Sequence, residues 1–297
     1  MTAEPLRLSG LGTALVTPFN ADGSLDEHAV TELARRQVDE GASFLVPGGT
    51  TGEGVTLSFK EKIGNTLLVV EAAEGRVPVV AGCGGNDTGE VVKLAKELEQ
   101  VGAAALLTVT PFYNKPTPEG LFRHYAAVAE AAGLPIVVYN VPGRTGVNVT
   151  PETLARLREI PQVTAVKEAS GDIVQIGRIC AEAPDDFDVL AGDDSGALPA
   201  MALGAAGLIS VAGNLIPRSM ATICNTCQVG EYQAARAVHQ RWLPLMEVLF
   251  CESNPGPAKF AMAEMGLLDA VYRLPMVPIT GESEERVRSV LEELELI

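Results

Sequence analysis

At 297 residues the chain has room for one large domain, alone or with a small appendage. Its composition, 47% hydrophobic and 20% charged without a low-complexity tract, is that of a soluble globular protein. A net charge of −16 excludes phosphate-backbone binding, which needs clustered Lys and Arg, and any anionic substrate must find a local cationic pocket against the overall field.

Along the chain, short apolar runs alternate with amphipathic stretches. Residues 12–18 predict a first strand, and 26–40 a helix that Asp26 can cap. Strand 44–48 and helix 59–73 follow, then strand 77–81 and helix 89–101, then strand 104–110 and helix 119–132. Strand 135–140 leads to helix 151–158, where Thr150-Pro151 supplies a cap followed by Pro at the first helical position. Strand 163–168, helix 173–183, strand 188–191, helix 196–203, strand 208–212 and helix 217–228 complete the series. Gly41, Gly75, Gly102 and Gly133 mark helix ends. Each strand is apolar along its length, as parallel strands covered on both faces must be. Eight such repeats predict an α/β fold, a (β/α)8 TIM barrel over residues 1–228. A doubly wound sheet is the alternative, but no Gly-rich phosphate fingerprint follows the first strand. Residues 229–297 read as a small C-terminal helical appendage, with helices near 232–250, 257–265 and 284–294.

Five cysteines, Cys224-x-x-Cys227 among them, lack the second pair or nearby His of a zinc site and read as plain thiols of a cytoplasmic protein. Residues 1–9 show no signal-peptide pattern, and the uncharged stretch 195–217 is broken by Pro199, Asn214 and glycines, so no membrane span is expected. His28, His124 and His239 fall on predicted helices without a carboxylate partner at ligand spacing, so neither a metal nor another cofactor is expected. Asp193-Asp194 reads as a cap for the following helix rather than a cation site.

In a barrel the chemistry sits at the C-terminal ends of the strands. Of the lysines, only Lys167 lies within an apolar strand, sharing parity with Val163 and Ala165. Burial favours the neutral form of an amine, which Schiff-base chemistry needs. The other reading is a structural ion pair with Glu168 or a nearby Asp, although Glu168 has the opposite parity and should point outward. Tyr139 and Tyr113 each end a strand, where a phenol can move protons or simply pack. The loop Gly48-Gly49-Thr50-Thr51-Gly52-Glu53 either holds a carboxylate on successive N–H groups or is only a tight turn. Arg144, between Gly143 and Thr145-Gly146, suits bidentate carboxylate capture, or is a solvated charge.

Together, the Gly12-Thr13-Ala14-Leu15-Val16-Thr17-Pro18-Phe19 segment, the Gly49 to Glu53 loop, Tyr139-Asn140-Val141-Pro142-Gly143-Arg144-Thr145-Gly146 and Asn254-Pro255-Gly256-Pro257-Ala258-Lys259 resemble the pyruvate-dependent class I aldolase family of dihydrodipicolinate synthase and N-acetylneuraminate lyase. The Arg-Thr-Gly ending is similar to the synthase branch. The resemblance implies that Lys167 forms an imine with pyruvate and that Tyr139, Thr51 and Tyr113 form a proton relay, with Tyr113 reaching a neighbouring subunit's site. It implies that Thr50 and Thr51 bind the pyruvate carboxylate, that Arg144 binds that of aspartate semialdehyde, and that Gly192 and Ile209 line the pocket with backbone. The implied product is 4-hydroxy-tetrahydrodipicolinate, on the route to lysine and diaminopimelate, and the implied assembly is a homotetramer built as a dimer of dimers. Asn86 and Glu90 match the family's allosteric lysine site, but Gly54, Phe59, Lys62 and Phe112 depart from it, and Lys62 would repel the effector's ammonium, so lysine insensitivity is expected. The alternatives are another pyruvate aldolase, acting on a sialic acid or a 2-keto-3-deoxy sugar acid, and a non-catalytic binding barrel.

Overall fold

The computed structural model describes residues 6–297, so part of the 1–9 stretch weighed for a leader lies outside the described residues. Eight parallel strands alternate with helices: β1 (Gly10–Ala14), α1 (Glu27–Asp39), β2 (Phe44–Val46), α2 (Phe59–Ala73), β3 (Val80–Gly82), α3 (Thr88–Gln100), β4 (Ala105–Val109), α4 (Pro118–Ala131), β5 (Ile136–Asn140), α5 (Pro142–Thr145), α6 (Pro151–Leu157), β6 (Val163–Glu168), α7 (Ile173–Glu182), β7 (Asp188–Ala191), α8 (Ala197–Ala202), β8 (Gly207–Ser210) and α9 (Pro217–Gln228). The strand order is β2-β1-β8-β7-β6-β5-β4-β3, and a parallel bridge from Leu45 to Val79 joins its two ends. The sheet therefore closes into the expected (β/α)8 barrel.

Two apolar clusters follow from the period of two along each strand. Phe44, Val46, Val80, Leu107, Val137, Ala165, Leu190 and Ile209 fill the barrel. Leu45, Ala81, Leu106, Ile136, Val138 and Val166 face the helices. The expectation that Val163 shares a side with Ala165 and Lys167 fails. Ile136 pairs with Val163 but Val137 with Ala165, so a bulge absorbs Thr164 and turns Val163 toward the helices. Because the bulge precedes Ala165, Lys167 keeps its place on the interior side.

The helix starts carry the caps read from the sequence: Asp26 accepts from Ala29, and Thr150 precedes Pro151. Gly41, Gly75 and Gly102 take positive φ just after their helices. Gly133 does not, because α4 leaves through an extended Ala132. A short helix, α5, forms where the sequence suggested only a loop.

After β8 a 3-10 turn, Ala212–Asn214, precedes α9, and the C-terminal region contains α10 (Tyr232–Val248), α11 (Gly256–Glu264) and α12 (Gly281–Glu293). The first packs on α8 and α9, the second on the 3-10 turn, and α12 on both. Among the described residues no helix is long and apolar enough to cross a membrane.

Candidate active site

Tyr139 and Lys167 are register partners on β5 and β6, near the C-terminal ends of both strands. Both are buried, and the Lys167 ammonium nitrogen lies 4.4 Å from the centroid of the Tyr139 ring. Glu168 makes no ion pair with it. Its carboxylate turns to the helix side, as its parity required, and accepts from the Asn140 amide at 2.9 Å, the Ser170 N–H at 2.8 Å and the Gln175 amide at 3.4 Å. The structural ion-pair reading of Lys167 therefore has no partner among the described residues.

The loop after β2 forms the next wall. Gly48, Gly49 and Thr50 line a cavity with Tyr139, Leu107, Val109, Phe112 and Lys62. Glycine is required here for close approach: a Cβ on Gly54 would lie 2.1 Å from the Gly48 carbonyl oxygen, and one on Gly82 2.3 Å from the same atom. Among the described residues, the Thr50 and Thr51 N–H groups donate to no protein acceptor. That leaves two free donors at the loop, the arrangement that suits a carboxylate. The buried Thr51 hydroxyl accepts from the Asn254 side-chain amide at 2.9 Å.

Arg144 lies on α5, exposed, and donates to the Asn254 carbonyl at 3.4 Å. Among the described residues its side chain bonds only that backbone oxygen, which leaves the guanidinium's other donors free for a ligand. Ile209 is fully buried in the barrel interior with Tyr139 and Leu190. Gly192 ends β7 and donates to the Glu168 carbonyl at 2.8 Å; a Cβ there would meet Ala169 at 2.6 Å.

Tyr113 stands apart from this group. It is 88% exposed, with a left-handed φ of 72°, so the chain does not bring it together with Tyr139 and Thr51 within one subunit. Asn86 is tied to the same segment, its carbonyl accepting from the Asn114 amide at 2.9 Å. Glu90 forms an exposed pair with Lys93 at 2.6 Å. Lys62 is half-buried and desolvation lowers its pKa. Gly54 and Phe112 line the same cavity as Lys62.

Several groups are set aside. Burial pushes the Cys83 thiol up to about 12, which makes it a poor nucleophile at neutral pH. Cys224 and Cys227 are buried in α9. His124 is buried, and desolvation lowers it to about 4. No cluster of metal-ligating side chains occurs among the described residues. The reading of Asp193-Asp194 as a paired cap fails, because α8 starts after Gly196 without a side-chain cap. Asp193 accepts from Gly196 N–H at the start of α8, whereas Asp194 is wholly buried and accepts from the Ser210 hydroxyl and the N–H groups of Val211 and Ala212. Burial raises the Asp194 pKa.

Two features were not read from the sequence. Asn254, from the C-terminal region, touches both Thr51 and Arg144. Lys259 forms a fully buried ion pair with Glu53 at 2.8 Å and donates to the Thr17 carbonyl at 3.0 Å, anchoring the base of the Thr50-Thr51 loop. Desolvation is the main cause lowering the Lys259 pKa, with Glu53 opposing it. The signal was present, since both residues lie in the Asn254 to Lys259 segment, but that segment is 200 residues from the loop it supports.

Residues 7–294 match the model of the Dihydrodipicolinate synthetase family. A protein of Koribacter versatilis named 4-hydroxy-tetrahydrodipicolinate synthase is 47% identical over 289 residues, covering 97% of this chain and 96% of that one. The solved dihydrodipicolinate synthase of Thermotoga maritima superposes with a TM-score of 0.95 at 42% identity, covering 98% of this chain and 99% of that one. A monomeric dihydrodipicolinate synthase variant gives 0.95 and 42% over 98% of both chains. With sequence and backbone agreeing over nearly the whole length, the chain belongs to the dihydrodipicolinate synthetase family.

Proposed function

We propose that this protein is a lyase of the class I aldolase type that condenses pyruvate with aspartate 4-semialdehyde to give 4-hydroxy-tetrahydrodipicolinate. The observation that carries the reading is Lys167: a buried lysine at the end of a barrel strand, without a counter-ion on its own side, lying over a buried tyrosine.

The amine of Lys167 attacks the ketone carbon of pyruvate, water leaves, and the nitrogen keeps the new bond as a protonated imine. Loss of a methyl proton gives an enamine, whose carbon attacks the aldehyde; the second substrate's amino group then closes on the imine carbon and expels the Lys167 amine. Thr50 and Thr51 hold the pyruvate carboxylate on their free N–H groups, and Arg144 holds the carboxylate of the second substrate. Tyr139 and Thr51 pass protons at the reacting atoms, with the Asn254 amide fixing the Thr51 hydroxyl. Gly192 and Ile209 shape the wall. The exposure of Tyr113 supports a role in a neighbouring subunit's site, and the exposed apolar side chains of Ile173, Val174, Leu203 and Tyr232 support a further subunit contact in a homotetramer. Residues 1–228 act as the catalytic barrel, and 229–297 complete its mouth through Asn254. The five free thiols suit a cytoplasmic setting. Lys62, a cation where the resemblance places an effector's ammonium, together with Phe59 and Phe112 in place of hydrogen-bonding side chains, supports insensitivity to lysine, so Asn86 and Glu90 are vestiges of that site.

The test is intact mass after incubation with pyruvate and borohydride, in wild type and Lys167→Ala. A reduced pyruvate adduct on the wild type alone supports the imine; no adduct on either overturns it.

A further inference from the structure

Lys167 and Glu168 are consecutive residues on opposite faces of β6, 5% and 2% exposed. Buried charges are ordinarily paired. Neither has an oppositely charged side chain within ion-pair distance among the described residues. Lys167 has the face of Tyr139, and Glu168 has three neutral donors from Asn140, Ser170 and Gln175. Hydrogen bonds solvate a carboxylate locally, but its charge is still felt across roughly 10 Å of protein that excludes water.

We infer that Glu168 is a positioning residue that acts through Lys167: its fixed negative charge behind the strand is the counter-charge to the cationic imine in front of it. The inference rests on the reading of Lys167 as the imine lysine. Forming the imine turns a neutral amine, a neutral ketone carbon and a proton into a cation and water, so a positive charge arises at a buried nitrogen that has no anion on its own side. The geometry holds the two charges in fixed relation. Asn140 pairs with Glu168 in the register step next to Tyr139 and Lys167, and the Asn140 amide clamps the carboxylate from the neighbouring strand. The Gly192 N–H closes the other side on the Glu168 carbonyl.

Other ionisable groups near β6 do not supply this charge. Asp188 on β7 is paired with Arg7. Burial, and after it the Glu168 charge, push the Cys180 thiol up to about 11, so it is neutral at ordinary pH. Asp193 bonds Ser195 and Gly196 at the start of α8. On α6 and α7, Arg178 is shared between Glu152 and Glu182 at the surface.

The experiment is the pH profile of kcat/KM for pyruvate in Glu168→Gln, which keeps the shape and removes the charge. The expected result is a plateau about tenfold lower and an acid limb moved down by about one pH unit, as for loss of a charge interaction of that size. Gln175→Met weakens the same hydrogen-bond network but leaves the charge, so it lowers the melting temperature without moving the limb. Should Glu168→Gln fail to fold, Gln175→Lys sets an ammonium against the carboxylate and moves the limb in the same direction. An unmoved limb in Glu168→Gln, beside a wild type that traps pyruvate, overturns this inference alone. A wild type that cannot be trapped overturns the reading beneath it as well.

Discussion

The Asn254 side-chain amide donates to the Thr51 hydroxyl at 2.9 Å, joining residues 203 apart in the chain. Because that oxygen already accepts, the Thr51 hydroxyl proton points away from Asn254. The C-terminal region therefore constrains the hydroxyl that the proposed proton relay assigns to Thr51. Asn254→Ala frees the hydroxyl to rotate, and kcat should fall about tenfold while pyruvate still forms a trappable adduct. Steady-state rates beside borohydride trapping check this; an unchanged kcat would remove Asn254 from the relay.

The proposed place of Tyr113 in a neighbour's site has a direct consequence. Lys167→Ala and Tyr113→Phe each lack one part, but a mixed dimer of the two holds one complete site. Random mixing of dimers gives half mixed species with one working site of two, so activity should return to about a quarter of wild type. The measurement is activity after mixing and subunit exchange. Recovery of nothing, with exchange confirmed by mass, would leave Tyr113 outside the chemistry.

Glu53 and Lys259 are both almost fully buried, and each neutralises the other. Removing one partner leaves the other charge uncompensated, so Lys259→Met should cost about 3–5 kcal/mol in urea unfolding. Replacing both, as Glu53→Gln with Lys259→Met, should recover part of that loss. If the double variant is no more stable than the single, the pair's burial does not explain the cost.

His124 gives a pH dependence of stability with a definite sign. Its pKa is lowered from 6.5 to about 4 in the folded protein because burial disfavours the imidazolium. Between those values the unfolded chain binds the proton and the folded chain does not. Stability is therefore highest above pH 6.5 and falls as pH drops toward 4, by about 3 kcal/mol at most from this group. Urea midpoints of wild type and His124→Gln across that window check it: the slope should be shallower in the variant.

Lysine should leave the initial rate unchanged up to millimolar concentration. Lys62 is half-buried with no carboxylate bonded to it among the described residues, so an ammonium brought to the same cavity meets a like charge. Inhibition at sub-millimolar lysine would overturn this.

Much of the architecture was legible in the chain itself. Uniformly apolar runs separated by capped helices imply a parallel sheet buried on both faces, and eight of them imply closure. Lys167 could be singled out as the lysine inside such a run, because a lysine in a barrel wall needs a reason. The loop Gly48 to Glu53, Tyr139 and Arg144 could be placed because strand ends and the loops after them share one face of a barrel.

What the tertiary structure decided lies where local pattern carries no information. The bulge at Thr164 breaks the two-residue period, and only pairing with Ile136 and Val137 reveals it. Asp194 and Asp193 are chemically alike and adjacent, yet one is an exposed turn residue and the other is buried under β8, because the N–H groups of Val211 and Ala212 converge there. Asn254 and Lys259 reach the loop beside Thr51 and Glu53 only when α11 packs against the barrel. The sequence by itself determined the candidate groups at the strand ends, since residue type and strand parity are local properties. The closed barrel and its C-terminal helices decided which of those groups meet, because hydrogen bonds and charge pairs act over a few ångströms of space and take no account of distance along the chain.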